Sequence, residues 1–97
     1  MADLIALRDQ VVDEPSFLAF LAALAADWHD ERGKEAIAPS PPYGPGANGW
    51  EHGTIGDYLD AAAAWGDSSR HGLPLYEPPR NPWRRCADIL WAGKIYE

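Results

Sequence analysis

The stretch GWEHGTIGDYLDAAAAWGD, residues 49–67, contains a helical pattern with a clear start. One face of the predicted helix is lined by Ile55, Tyr58, Leu59, Ala62 and Trp65. Thr54 precedes them as an N-cap residue, and Asp57 stands three positions later, where a capping box places an acid. The alanines of residues 61–64 add helix propensity and allow another helix to approach closely. The pattern predicts a helix over residues 54–66.

A longer helix is predicted before this stretch, over residues 14–36. One apolar face is formed by Phe17, Leu21, Leu24 and Trp28, which are spaced by four, three and four residues, with Phe20 widening it. Either Asp13 or Ser16 can cap the helix, and Pro15 is tolerated because it falls in the first turn. Further upstream, Leu4, Ile5 and Leu7 form a short apolar piece, which is either a helical turn or an extended arm over the core.

A third helix is predicted over residues 82–96. Asn81 followed by Pro82 is a strong start signal, because the side chain caps the helix and proline suits the first helical position. The residues expected to face inward are Trp83, Cys86, Ala87, Leu90 and Trp91, with Ile95 or Tyr96 continuing the stripe. Arg84 and Asp88 are expected to pair four residues apart on the outer side.

Two Pro/Gly-rich loops, residues 38–49 and 66–81, separate these helices. The first holds four prolines, which excludes a helix or a central strand. The second is long for so small a domain and is either functional or merely mobile, with Leu73, Leu75 and Tyr76 as candidates to anchor it. The chain is therefore predicted to be all-α: one domain, residues 1–97, forming a compact bundle of three main helices. Its expected core contains Trp28, Leu59, Trp65, Leu90 and Trp91.

Composition narrows the classes of function. The 97-residue chain has 8 Lys and Arg against 15 Asp and Glu, a formal net charge of −7, which disfavours nucleic acid and favours a basic partner. No apolar run is long enough for a membrane span, and the N-terminus lacks the features of a signal peptide. The single cysteine, Cys86, agrees with a reducing compartment. We expect a cytoplasmic protein without membrane association; the pattern gives no indication of its oligomeric state.

Three segments, FLAFLAALAADW, GWEHGTIGDYLDAAAAW and WRRCADILWAGKIYE, resemble a family of small bacterial domains of unknown function. The family pattern runs from F-x-x-F-x-x-x-L through W-E-N-x-T-x-x-x-(Y/F)-L-x-A-x-x-x-W to W-x-x-x-A-x-I-L-x-A-x-x-Y-E. The matching positions are Phe17, Phe20, Leu24, Trp50, Glu51, Thr54, Tyr58, Leu59, Ala61, Trp65, Trp83, Ala87, Ile89, Leu90, Ala92, Tyr96 and Glu97. His52 stands where the pattern has asparagine, and the loop before Trp50 resembles an insertion. The resemblance implies a domain type and no particular activity.

Residues that can carry chemistry are few. His29, Asp30, Glu31 and Glu35 include metal-ligating types, but their spacing lacks an H-E-x-x-H or Cys/His pattern, so a solvated charged face is expected. Glu51 and His52 have acid or base groups before a helix, without an ordered second group or a phosphate-binding loop. Cys86 is expected to be a buried thiol. The sequence therefore predicts neither an enzyme nor a metal site, and no cofactor.

The remaining classes are binding functions. The favoured one is a small acidic domain that binds a basic protein, with the character of an immunity or antitoxin protein. Its candidate partner-binding residues are Asp57, Asp60, Asp67, Trp50 and Glu51. The alternative is an accessory domain that binds a small molecule or peptide between its loops, with Trp50 and Tyr43 stacking. We expect Trp50 to clamp the first loop onto the second helix near Ile55, and Glu51 to be mainly architectural.

Overall fold

Four helices make up the fold of this computed structural model, which describes residues 3–96. They are α1 (Leu4–Asp9), α2 (Glu14–Ile37), α3 (Ile55–Ser68) and α4 (Pro82–Ile95). The described residues contain no strand, only an isolated bridge between Leu73 and Tyr76 that closes a turn. The all-α prediction and its three main helices are confirmed, and the N-terminal piece is a short helix. Glu97, the last residue of the sequence pattern, lies outside the described residues.

The helix starts follow the capping residues predicted from the sequence. Asp13 caps α2 in a reciprocal box: its carboxylate accepts from the Ser16 N–H at 3.0 Å, and the Ser16 hydroxyl oxygen accepts from the Asp13 N–H at 3.1 Å. Thr54 accepts from the Asp57 N–H at 3.1 Å, and Asn81 accepts from the Trp83 N–H at 2.9 Å. Each bond satisfies an N–H that has no partner within its helix.

Helix α4 lies at the centre of the fold. It packs against α1, α2 and α3, whereas no Cα atom of α2 comes within 8 Å of one in α3. The buried core cluster consists of Leu4, Val11, Phe20, Leu24, Trp50 and Ala87. Trp28, Tyr58, Leu90 and Trp91 pack against it while remaining partly exposed. Helix α3 is therefore held to the bundle mainly through α4, with open space beside it.

Small residues set the close contact between α3 and α4. A Cβ atom on Gly93 would lie 2.8 Å from the Tyr58 ring and 3.1 Å from the Ala62 Cβ, which is too close for any side chain there. Ala61 and Ala62 are the buried apolar residues of α3. The alanine run thus allows the close helix approach that the sequence predicts.

Because α3 and α4 approach so closely, several residues predicted to be in the core are exposed. Large side chains do not fit between helices that meet through alanine and glycine, so Ile55 and Leu59 turn outward and are 80% and 55% exposed. On α4, Trp83 is 36% exposed and Cys86 is exposed rather than buried. Ile95 and Tyr96 do not continue a buried stripe and are also well exposed. Trp65 is half-buried outside the main cluster.

The second loop is anchored by one of its three candidate residues. The Tyr76 ring meets Trp65 edge-on at 4.9 Å, and its hydroxyl donates to Asp88 Oδ2 at 2.7 Å. Leu75 is fully exposed, and Leu73 is 39% exposed. The predicted pair of Arg84 and Asp88 forms at 2.9 Å, but Asp88 is only 4% exposed, so the expectation of an outer-side pair is wrong.

Candidate binding groove

An open groove of about 360 Å³ lies between α2 and the first turn of α3. Its apolar lining includes Leu21, Trp28, Trp50, Ile55 and Tyr58, and His29 and His52 also line it. The groove exists because α2 and α3 do not approach each other and the segment leading into α3 fills only the bottom of the gap. We refer to this feature as the apolar groove.

Three aromatic rings form the floor of the apolar groove. Trp50 is 8% exposed and meets Trp28 edge-on, with ring centroids 5.2 Å apart, and meets Tyr58 at 5.8 Å. The Tyr58 hydroxyl donates to the Leu90 carbonyl at 2.8 Å, and burial raises the pKa of Tyr58, so this hydroxyl stays a donor at neutral pH. The floor is rigid, because each ring has an aromatic neighbour and Tyr58 is also tied to α4.

A buried ion pair fixes Trp50 from below. The indole Nε1–H of Trp50 donates to Asp27 Oδ2 at 2.9 Å, and Lys94 Nζ donates to the same oxygen at 2.8 Å. Both charged side chains are less than a tenth exposed. The Lys94 ammonium also lies 5.5 Å from the centroid of the Trp50 ring. Trp50 therefore anchors the loop by hydrogen bonding into the core, and its ring meets α3 at Tyr58, while Ile55 is 80% exposed.

Glu31 is the second buried acid under the groove. It is fully buried, and its Oε1 accepts from the backbone N–H groups of Asn48 and Trp50, at 2.9 and 3.3 Å. Arg32 pairs with its other oxygen at 2.6 Å. Gly46 passes so close to this carboxylate that a Cβ atom would collide with it. The expectation that Glu31 belongs to a solvated face is therefore wrong.

A sequence signal for these buried acids exists. Phe20, Leu24, Asp27 and Glu31 follow one another at helical spacing, so the two acids continue the buried stripe of α2. Sequence reasoning missed this because acids at the polar end of a helix usually face water. The carboxylates at the end of the stripe have polar partners: Glu31 accepts from backbone N–H groups, and Asp27 accepts from side chains.

The outer end of α2 also ties down the first loop. Glu35 accepts from the Ser40 hydroxyl at 2.5 Å and N–H at 2.6 Å, and from the Ala47 N–H at 2.8 Å. These hydrogen bonds, led by the Ser40 hydroxyl, hold the pKa of Glu35 below its usual range. The Asn48 amide donates to Asp30 at 2.9 Å, and this bond is the first cause of the lowered pKa of Asp30.

The described residues contain no cluster of three or more His, Cys, Asp or Glu side chains suited to a metal ion.

The two residues after Trp50 have different surroundings. The Glu51 N–H donates to the Lys94 carbonyl at 2.9 Å, which joins this segment to α4, and Glu51 does not line the apolar groove. His52 does line it, and its Nε2 lies 2.5 Å from the Tyr96 carbonyl oxygen. A carbonyl only accepts, so this contact places the proton on Nε2. His52 is thereby bonded to the backbone near the end of α4.

The three predicted acids of α3 are all exposed. Asp57, Asp60 and Asp67 point away from the α4 contact, and Asp67 lies 3.8 Å from Arg70. Trp50 lies in the groove floor and not on the surface formed by these acids. Ile55 lines the groove and also belongs to α3, so it connects the groove with the acidic surface of α3. Tyr43 is fully exposed and the Trp50 ring contacts Trp28 and Tyr58, so the structure does not form the expected stack of Trp50 on Tyr43.

Fold and groove together define a small all-α domain with an apolar surface recess. The chain belongs to a family of unknown function, DUF7660, whose model matches residues 14–97. Comparisons with curated proteins and with solved structures gave no match. Within residues 3–96, no helix combines the length and apolar character needed to cross a membrane.

Proposed function

We propose that this chain is a non-enzymatic binding domain that takes a basic amphipathic segment of another protein into the apolar groove. The observation that carries the proposal is an open apolar groove whose rim residue Ile55 begins an acidic helix. Helices that lay an apolar face into a groove are a recurrent mode of protein recognition. The acids of α3 would then meet the basic residues that flank the apolar anchors.

Exposed apolar side chains support a protein partner. Leu18, Leu21, Ile55 and Leu59 are each at least 39% exposed, on the two helices that border the groove. A partner that covers them removes apolar surface from water, at about 25 cal/mol per Å². Leu21 and Ile55 also line the groove, and exposed apolar surface beside a recess is typical of interaction sites.

Charge supports a basic partner. The net charge of −7 speeds encounter with a cationic protein, and Asp57, Asp60 and Asp67 concentrate negative charge on α3. A particular form of this function is neutralisation of a basic enzyme in the bacterial cytoplasm, as small immunity and antitoxin proteins do. Acidity, small size and the single cysteine support that form.

A synthetic peptide tests the proposal directly. The probe is a helical peptide of about 18 residues, five turns, with leucines along one face and lysines elsewhere, compared with a glutamate version. We expect micromolar binding of the lysine peptide and displacement of the indole N–H resonances of Trp28 and Trp50 in heteronuclear NMR spectra. Equal affinity for both peptides, or no displacement of these two resonances, contradicts the proposal.

Two matched substitutions separate the apolar and ionic contributions. Ile55→Gln should weaken the lysine peptide about tenfold, whereas Leu75→Gln, at a fully exposed position in the second loop, should not. Asp60→Asn should weaken binding at low salt more than Glu77→Gln, which changes the net charge equally. The triple change of Asp57, Asp60 and Asp67 to Asn should remove most of the salt dependence. Unchanged affinity in Ile55→Gln excludes the groove as the site.

A small apolar molecule is the second candidate occupant. The groove volume of about 360 Å³ and its three-ring floor fall in the range of small-molecule pockets. A neutral fluorescent dye, N-phenyl-1-naphthylamine, tests this candidate. Dye binding that Ile55→Gln weakens, together with no binding of the lysine peptide, would favour the small molecule over the protein partner.

A further inference from the structure

A second recess of about 310 Å³ lies where α1, the end of α3, the Tyr76 turn and α4 meet. The residues that shape it are Arg8, Trp65, Tyr76, Arg84, Asp88 and Trp91. We call it the ionic pocket. It shares no lining residue with the apolar groove, and Arg8 comes from the segment before the family match.

The charges in the walls of the ionic pocket are not fully balanced by one another. Arg84 Nε donates a hydrogen bond to Asp88 Oδ1 at 2.9 Å, and the Tyr76 hydroxyl donates to Asp88 Oδ2 at 2.7 Å. Arg8 Nε is 3.7 Å from Asp88 Oδ1, beyond hydrogen-bond distance, and it is buried without a hydrogen-bond partner. The lining itself holds two arginines and one aspartate, and Asp9, which is not part of the lining, pairs with both arginines, at 3.3 Å from Arg8 and 3.1 Å from Arg84.

Aromatic rings supply the rest of the walls. The Arg8 guanidinium carbon lies 5.7 Å from the centroid of the Trp91 ring. Trp65 is held by Tyr76, with centroids 4.9 Å apart, and by Arg85, whose guanidinium carbon is 5.4 Å from its centroid. Burial, followed by the hydrogen bond to Asp88, raises the pKa of Tyr76, so its hydroxyl remains protonated at neutral pH.

We propose that the ionic pocket binds a small planar carboxylate, such as an aromatic acid. The carboxylate accepts from the Arg8 guanidinium, whose side chain is 22% exposed, and the flat ring lies beside Trp65 and Trp91. Planar guanidinium and carboxylate groups match in geometry, and aromatic faces favour a flat ring over a branched chain. This site is independent of the partner proposed for the apolar groove.

Three probes of equal shape and different charge test the ligand class. Benzoate, benzamide and benzamidine are titrated to millimolar concentration while the five indole N–H resonances are followed by heteronuclear NMR, assigned with Trp→Phe variants. Benzoate should shift the resonances of Trp65 and Trp91 and leave Trp28 and Trp50 in place, with benzamide at least tenfold weaker. Stronger binding of benzamidine, absence of any shift, or shifts at Trp28 and Trp50 overturns the proposal.

Arg8 is tested against a matched surface arginine. Arg8→Gln should weaken benzoate at least tenfold, because one charge-assisted contact is lost, whereas Arg80→Gln, at an exposed position, should change the dissociation constant less than twofold. Arg8→Lys should keep only part of the affinity, because it retains the charge without the planar fork. Thermal melting establishes that each variant is folded, and the wild-type probe series stands if one is not. Equal weakening by Arg8→Gln and Arg80→Gln would reduce the effect to net charge and overturn the site.

Discussion

The apolar groove and the ionic pocket both border α3, yet they place their charges differently. Below the groove, Asp27 and Lys94 lie under the Trp50 ring, where each is the partner of the other. In the ionic pocket, Arg8 and Asp88 form part of the wall itself. Buried charge beneath a floor holds the floor in place, whereas charge in a wall is within reach of a ligand.

The common origin of the two recesses is the spacing of the helices. Because α3 packs on α4 and does not approach α2, its flanks are left for other segments to fill. Trp50 fills one flank with an aromatic ring, and Tyr76 partly fills the other. We therefore expect substitutions in the groove floor to lower the free energy of unfolding more than substitutions in the pocket wall.

The largest effect is expected from the acid under the groove. Asp27→Asn leaves the buried Lys94 ammonium without its counter-charge and should lower the free energy of unfolding by about 3–5 kcal/mol. The measurement is a urea denaturation midpoint. Asp67→Asn, which removes an 81% exposed partner of Arg70, is the control and should have little effect. Similar midpoints for the two variants would show that the buried pair does not hold the floor.

A smaller effect is expected from the ring that the acid holds. Trp50→Phe removes the donor to Asp27 and should cost about 1–3 kcal/mol, the usual range for leaving a buried acceptor without its partner. Trp65→Phe, in the pocket wall, keeps a ring against Tyr76 and Arg85 and should cost less than about 1.5 kcal/mol. Chemical denaturation of both variants distinguishes floor from wall. A larger loss in Trp65→Phe would reverse the comparison.

The next effect concerns the acid dependence of the first loop. Hydrogen bonds lower the pKa of Glu35 below its usual 4.5, so the folded state binds its proton less tightly than the unfolded state. The resulting stability is present above pH 4.5 and is lost as the pH falls through the lowered pKa. We expect Glu35→Gln to lower the melting temperature at pH 7 and to flatten its decline from pH 6 to 3. An unchanged decline would show that Glu35 does not anchor the loop in solution.

The starts of the helices were predictable because capping is local. Thr54 and Asn81 bond within three residues along the chain and were identified from sequence, and for α2 the sequence narrowed the cap to Asp13 or Ser16, of which the structure selects Asp13. The apolar face of α3 was not predictable in the same way. Helical spacing predicts that Ile55 and Leu59 face the core. In the structure the small residues of α3 face α4 instead, because the two helices meet closely at Gly93.

The recesses were less predictable than the helices because long-range contacts make them. Asp27 meets Trp50 across 23 positions, and Arg84 reaches the Asp9 carboxylate across 75. Exposure of Asp57, Asp60 and Asp67 followed from periodicity, since residues on the far side of a packed helix face water. Helical spacing places Asp27 and Glu31 on the buried stripe of α2, but no local pattern specifies where the loop that packs on them returns.

The smallest effect is expected at Glu51, whose sequence position beside Trp50 makes it a candidate partner-binding residue. Its N–H bond to the Lys94 carbonyl belongs to the backbone and survives substitution, and its side chain does not line the apolar groove. Glu51→Gln should therefore leave the dissociation constant of the lysine peptide within twofold of wild type, whereas Ile55→Gln weakens it about tenfold. Fluorescence titration of both variants at low salt makes the comparison. A tenfold loss in Glu51→Gln at an unchanged melting temperature would move the binding surface from the α3 acids to Glu51.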